Sequence, residues 1–339
     1  MNRPLLAICD TERDYCRRLD EYLRGHLNLS FEICSFTDTE IFKEFVKEKI
    51  PALSVLSQSV YSALSEGGSI KSVKNILVLD EANSFVNEDE SQEEEKNVCH
   101  ISKYLPAGKI IDGILDFCVK IPDNIGNLDA GRGSEKVKLL GLFSPLSRCG
   151  QTAFSVKICE ELSKHGKTML LNFDSYSMVT EIMGQDADED ITDLLYYSEC
   201  EEGKFSVYLE RIKRSGKGFD FIPPAKTATQ IKEITFERIK SLARLLSAAA
   251  GYEYIVLDLS EFPEGVFDIL RMCTRVFTVV GDGREENYKL EQYVKVLSNN
   301  GYDDVLANTV RCLLPKESLG GGLSTYAGEM LAREELVSE

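Results

Sequence analysis

The sequence predicts an α/β protein made of two doubly wound domains, each a mostly parallel sheet with helices on its faces. Three features predict it. Short apolar runs that suit buried parallel strands alternate with segments carrying one apolar helical stripe. A strand, a tight loop and a helix follow one another through Lys138–Leu162, KLLGLFSPLSRCGQTAFSVKICEEL. Residues 122–136, PDNIGNLDAGRGSEK, are rich in Gly, Asn and Asp and lack apolar periodicity, which marks a linker.

The first domain, residues 1–121, opens on an apolar strand, Pro4–Cys9, closed by Asp10. Tyr15, Leu19, Tyr22 and Leu23 line one helix face, Phe31–Phe36 reads as a strand, and Ile41, Phe42, Phe45 and Val46 mark a second helix. Ala52–Leu56 and Asn75–Leu79 are further strands and Ile110–Val119 a last helix. Glu88–Glu95 is a run of like charge that resists packing, so a solvated loop is expected there.

The second domain, residues 137–339, begins with the strand Leu139–Phe143, a turn of small and polar residues over Ser144–Gly150, and a helix over Ala153–His165 with Phe154, Ile158 and Leu162 on one face. Such a junction gathers backbone N–H groups and a helix N-terminus around a phosphate. Laid on the pattern Gly-x4-Gly-Lys-Ser/Thr, Gly150 and Thr152 keep their places, Pro145 replaces the first glycine, and Gln151 replaces the lysine that neutralises β- and γ-phosphates. An ordinary strand-to-helix turn is the alternative reading of a loop with one glycine before a threonine. Thr168–Phe173 is a buried strand ending at Asp174, and Asp190–Tyr197 starts a helix with acids at its positive end. Phe219–Ala225 is a short strand stopped by Pro223 and Pro224; Phe236, Ile239, Leu242, Ala243 and Leu246 form an amphipathic helix. The strand Tyr254–Leu257 delivers Asp258, either as a Walker B carboxylate holding Mg²⁺ through water or as a cap for the next turn. Arg275–Val280 and Asp304–Val310 are expected to complete the sheet, with a helix over Tyr288–Leu297 between them.

The net charge of −17 disfavours non-specific attraction to DNA or to an anionic membrane. No apolar run approaches the roughly 18 residues of a membrane span, and the N-terminus meets Asp10 too soon for a signal peptide, so a cytoplasmic protein is expected. Ten cysteines form no CxxC pair and only three histidines accompany them, a pattern of free thiols and not of a metal site.

In size, order and the placement of Asp10 the first domain resembles a response-regulator receiver. The resemblance sets Asp10 at the first-strand acidic position with Thr11 and Glu12 beside it, matches Lys103 to the family's lysine near the fifth strand, and puts Ser57 where the phosphoacceptor aspartate would lie. It therefore implies a pseudo-receiver used for contacts, with Asp10 a strand-end cap. From Lys138 to about Pro315 the chain resembles the MinD/ParA group of deviant Walker ATPases, and as a whole it resembles TadZ/CpaE, the positioning ATPases of Flp/Tad (type IVb) pilus assembly.

That second resemblance implies that Arg148, Cys149, Gly150, Gln151, Thr152, Ala153 and Asn308 bind the nucleotide, that Thr152 and Asp258 serve Mg²⁺, and that Asp174 orients the attacking water. Asn172 replaces the first acid of the family's D-x-D, and Leu146 replaces the lysine that reaches across the dimer. Arg148 is placed to restore one positive charge. The expectation is a homodimer that binds ATP or ADP with Mg²⁺, hydrolyses slowly or not at all, meets pilus or secretion assembly proteins, and sits at the cell pole or the inner face of the membrane through those partners. No nucleic acid is expected. Glu329, Glu334, Glu335 and Glu339 against one Arg333 leave the tail without a basic membrane helix, so direct membrane insertion is not expected. The alternative is a nucleotide-free scaffold working by protein contacts alone.

Overall fold

The computed structural model describes residues 3–68, 70, 73–81, 97–121, 137–185, 187–200, 202–315 and 322–337. Two of the sequence expectations, the acidic run Glu88–Glu95 and the linker 122–136, lie outside the described residues. The chain divides into two compact units, Met1–Ala130 with Gly203–Arg211, and Gly131–Glu202 with Ile212–Glu339.

The N-terminal unit contains β1 (Leu5–Cys9), α1 (Arg13–His26), β2 (Glu32–Phe36), α2 (Thr39–Glu48), β3 (Leu53–Ser57), α3 (Gln58–Glu66), β4 (Asn75–Asp80), β5 (Asn97–Ser102) and α4 (Ala107–Lys120). Its strands are parallel in the order β2-β1-β3-β4-β5. Successive side chains of a strand point to opposite faces, so each strand feeds two cores. Leu6, Ile8, Leu53, Val55, Leu77 and Leu79 pack with α1 and α4 on one face. Ala7, Cys9, Leu56, Ile76 and Val78 pack with Phe42 and Val46 of α2 and Val60 and Leu64 of α3 on the other. The Asp38 carboxylate accepts from the amides of Glu40 and Ile41 and so starts α2. Although α3 and β5 have little apolar patterning, the fold includes them.

The C-terminal unit starts with β6 (Lys138–Leu142), α5 (Gln151–Leu162), β7 (Thr168–Phe173), α6 (Val179–Met183) and α7 (Ile191–Cys200). The next helix, α8 (Phe205–Ile212), groups with the N-terminal unit through Gly203–Arg211, and its Val207 belongs to that unit's core. There follow β8 (Arg214–Gly216), β9 (Phe219–Ile222), α9 (Ala228–Lys232), α10 (Phe236–Ala248), β10 (Tyr254–Leu259), α11 (Val266–Met272) and β11 (Arg275–Val280). The unit closes with α12 (Arg284–Asn299), α13 (Asp303–Ala307), β12 (Thr309–Leu313) and α14 (Gly322–Arg333). The strand order is β12-β11-β6-β10-β7-β9-β8, parallel except for β8.

The strands β6, β7 and β10 are apolar almost throughout because both faces are covered. Gly141 is needed in β6: a Cβ there would lie 2.9 Å from Cys273 Sγ and 3.3 Å from Leu270 Cδ2, so the bare backbone admits the end of α11. One expectation is corrected. The last strand is Thr309–Leu313, not Asp304–Val310; Asp303 and Asp304 open the short helix α13, where acids suit the helix N-terminus. Among the described residues no helix is long and apolar enough to cross a membrane.

Candidate functional site

The strand β6 lies inside its sheet between β10 and β11; the chain goes on from it to β7 on one side and, after β10, crosses to β11 on the other. Ligands in open α/β sheets bind at such a switch point, outside the carboxyl ends of the strands. The loop that leaves β6 there is pinned at its start. Phe143 N–H donates to Phe277 O at 3.1 Å, Ser144 Oγ donates to Val279 O at 2.7 Å, and Leu146 N–H donates to Ser144 Oγ at 3.1 Å. Leu146 is buried, which suits leucine and would not suit an ammonium group.

The helix α5 opens on Gly150 at φ 84°, a left-handed conformation that glycine adopts without strain. Gly150 has no side chain to cap this end, and the Gln151 amide lies against the Cys149 thiol. The first amides of a helix lack intrahelical acceptors, so the arrangement is suited to holding an anion. Arg148 is exposed and held at φ 55°. Cys149 is half-buried and its thiol is pushed up by burial, with the Gln151 amide and the Ser144 hydroxyl acting the other way. Ala153 is exposed in the first turn.

Asp258 is the hub of the site. Sheet register sets it level with Leu142 of β6 and Asn172 of β7, at the carboxyl ends of three adjacent strands. Its carboxylate is fully buried and accepts from Gln151 Nε2 at 2.7 Å, Asn172 Nδ2 at 2.6 Å and Ser155 Oγ at 3.2 Å. Burial pushes its pKa up, while the hydrogen bonds from Gln151, Thr152 and Ser155 hold the charged form. Gln151 also donates to Leu259 O at 2.9 Å, so the residue in the lysine position ties the helix start to the end of β10. The Thr152 hydroxyl stands close enough to Asp258 to favour its charged form, so this hydroxyl and carboxylate suit Mg²⁺.

The other predicted residues separate. Asp174 follows β7 at the same edge, half-buried, with its pKa raised by burial; its amide donates to Asn172 Oδ1 at 3.0 Å. Asn308 does not join the site. It precedes β12, whose first residue Thr309 pairs with Val276 at the start of β11, so it lies at the amino ends of the strands. Its side chain is taken up there, accepting from Arg275 at 2.5 Å and donating to Cys273 O at 2.9 Å. Ser155 was missed by sequence reading; its position one helical turn after Gln151 was the available signal.

The N-terminal unit has a polar cluster of its own at the carboxyl ends of β1, β3, β4 and β5. Lys103 is buried, and its ammonium lies 2.9 Å from Asp10, 2.9 Å from Glu12 and 3.2 Å from Glu81. Desolvation lowers the Lys103 pKa, but the hydrogen bonds its ammonium donates to Asp10, Glu12 and Glu81 outweigh it and the net shift is upward. Asp10 caps as expected, accepting from Glu12 N–H at 2.8 Å, and is also the ion-pair partner of Lys103. Ser57 is fully buried, its hydroxyl 3.1 Å from that of Ser59. Glu81, directly after β4, was not singled out from the sequence.

The C-terminal unit is thus a doubly wound, mostly parallel α/β domain with a glycine-led helix N-terminus and a strand-end carboxylate at one switch point. No protein-family model matches the sequence, and no curated protein sequence matches it. Among solved structures, the chain is similar to a ParA family ATPase from Chlorobium tepidum TLS, at 16% identity and a TM-score of 0.45 over 58% of this chain and 81% of that one. It is also similar to a plasmid partition protein from Borrelia burgdorferi, at 14% identity and a TM-score of 0.44 over 59% of this chain and 100% of that one. A third likeness is to cobyrinic acid a,c-diamide synthase from Mycobacterium smegmatis, at 14% identity and a TM-score of 0.42 over 59% and 95% of the two chains.

Proposed function

We propose that the C-terminal unit is a MinD/ParA-like nucleotide-binding domain that holds ATP with Mg²⁺ and hydrolyses it slowly or not at all. The observation that carries this is the glycine-led start of α5, with Thr152 beside Asp258 at the carboxyl ends of β6 and β10. Phosphate oxygens would meet the amides of Gly150, Gln151, Thr152 and Ala153 and the guanidinium of Arg148; Thr152 and Asp258 would hold Mg²⁺, which neutralises phosphate charge. Slow turnover follows from Gln151. An uncharged amide committed to Asp258 cannot follow charge that develops on the phosphate, and losing one such contact costs about 3 kcal/mol, roughly 100-fold in rate. Asp174 is the residue proposed to orient water.

On the sequence resemblance, the protein is a homodimeric spatial organiser of Flp/Tad pilus assembly or secretion, recruiting its partners through the pseudo-receiver unit. The charge of −17 speaks against a nucleic-acid partner. Sedimentation with and without Mg-ATP, run beside a phosphate-release assay, tests the reading. Mg-ATP-dependent dimers with little released phosphate support it; a species that sediments identically in both buffers contradicts it. A second reading, a nucleotide-free scaffold, is favoured by the Gln151–Asp258 bond and the buried Leu146, which stabilise the site from within. It predicts that Thr152→Ala leaves partner binding unchanged.

A further inference from the structure

The three side chains that donate to the Asp258 carboxylate are not equivalent. Gln151 donates to Oδ1 at 2.7 Å, while Asn172, at 2.6 Å, and Ser155, at 3.2 Å, both donate to Oδ2. Gln151 is anchored a second time, its Nε2 donating to Leu259 O at 2.9 Å, which commits both of its N–H groups. Asn172 is anchored as well, because its Oδ1 accepts from the Asp174 amide at 3.0 Å. Ser155 differs. Its hydroxyl has one proton and stands between two acceptors, Asp258 Oδ2 at 3.2 Å and Thr152 O at 2.8 Å. Serines inside helices bond readily to a carbonyl one turn back, and Thr152 O is such a carbonyl. Ser155 is fully buried.

A buried carboxylate has lost its hydration and is stable only while donors or a cation replace it. At Asp258 the donors and a cation compete for the same two oxygens, and the outcome depends on which donor can leave at least cost. Gln151 and Asn172 are each fixed at two points, and either would give up a bond by moving. The Ser155 proton has Thr152 O within reach, so its departure exchanges one hydrogen bond for another.

We infer, resting on the reading of this site as one for Mg-ATP, that Ser155 is the positioning residue that adjusts Asp258 to its cation: the Ser155 hydroxyl donates to Asp258 when no cation is bound and turns to Thr152 O when one is. The consequence is opposite to that of ordinary damage. With alanine at 155, Asp258 has one donor fewer in the metal-free protein and no hydroxyl to displace, so a cation is bound more tightly. A site that had merely been disturbed would bind more weakly.

The test is calorimetric titration of ATP into the full-length protein, once in excess Mg²⁺ and once in EDTA. Ser155→Ala should bind Mg-ATP about fivefold more tightly than the parent, the equivalent of one hydrogen bond, and should bind metal-free ATP no more tightly. Ser155→Thr, which keeps the hydroxyl, should return the Mg-ATP affinity to that of the parent. In EDTA without nucleotide, Ser155→Ala should unfold at a lower urea concentration than the parent, and Mg-ATP should raise its midpoint by more than it raises the parent's. A Ser155→Ala protein that binds Mg-ATP as the parent does, or more weakly, overturns the inference, as does a gain of equal size in EDTA; either leaves the nucleotide reading standing. A parent that binds ATP in neither buffer removes that reading and the role of Ser155 together.

Discussion

Asp258 shows how one residue can set the character of a site. Its buried carboxylate is held by three neutral donors from two elements, Gln151 and Ser155 of α5 and Asn172 of β7. Relative to the pattern the sequence resembles, an amide has replaced a lysine at 151 and another has replaced an acid at 172. The two changes compensate in charge, and both amides became donors to the same carboxylate. Removing one should leave a buried acceptor unsatisfied, so Gln151→Leu is expected to lower stability by about 1–3 kcal/mol in urea unfolding. An unchanged midpoint would mean that the bond contributes nothing. The raised pKa of Asp258 has a definite sign: the fold favours the protonated acid. That contribution to stability is present below the ordinary carboxylate range near about 4 and is lost as pH rises through the raised value. Asp258→Asn should therefore gain in melting temperature relative to the parent as pH is raised from 4 to 7. Parallel profiles would show that Asp258 does not titrate in this way.

Lys103 has the corresponding place in the N-terminal unit. Buried, its ammonium is the counter-charge of Asp10, Glu12 and Glu81. Lys103→Met should cost about 3–5 kcal/mol, and adding Asp10→Asn should recover part of it. No recovery in the double variant would place the cost in packing and not in charge.

Among the elements, the buried strands were the most legible in the sequence. TMLLNF and YIVLDL are apolar almost throughout, and the acids at their carboxyl ends stand out in the sequence: Asp174 directly follows the first and Asp258 is the penultimate residue of the second. Elements without a clean stripe were lost: α3 and β5 carry mixed residues, and α13 mimics a strand because Val305 and Leu306 adjoin in a short acidic segment. Asn308 was misplaced for the same reason. A sequence motif fixes neither the register nor the end of the sheet at which a residue falls, and β12 begins one residue after Asn308. The partners of Gln151 were hidden as well, since a bond across 107 positions is set by topology. The helix α14 packs Ala327, Met330 and Leu331 into the same core as Phe154, Ile158 and Leu162 of α5. Leu331→Ala should cost the C-terminal unit about 2–5 kcal/mol. A loss below about 1 kcal/mol would mean that α14 is not part of that core.

For the whole molecule, each unit has its own sheet and core, and one short segment departs from the order of the chain. The exception is Gly203–Arg211, which groups with the first unit and carries Val207 into its core; nothing in the local sequence announces that. Charge is legible directly from the sequence and argues against polyanionic partners, whereas the choice between a nucleotide-holding organiser and a scaffold depends on what the start of α5 binds. Calorimetric titration of Mg-ATP into the full-length protein tests that most directly. The account predicts saturable binding with a dissociation constant below about 1 mM, weakened about tenfold or more by Thr152→Ala. No heat of binding at millimolar Mg-ATP, or equal affinity in the Thr152→Ala protein, would contradict it.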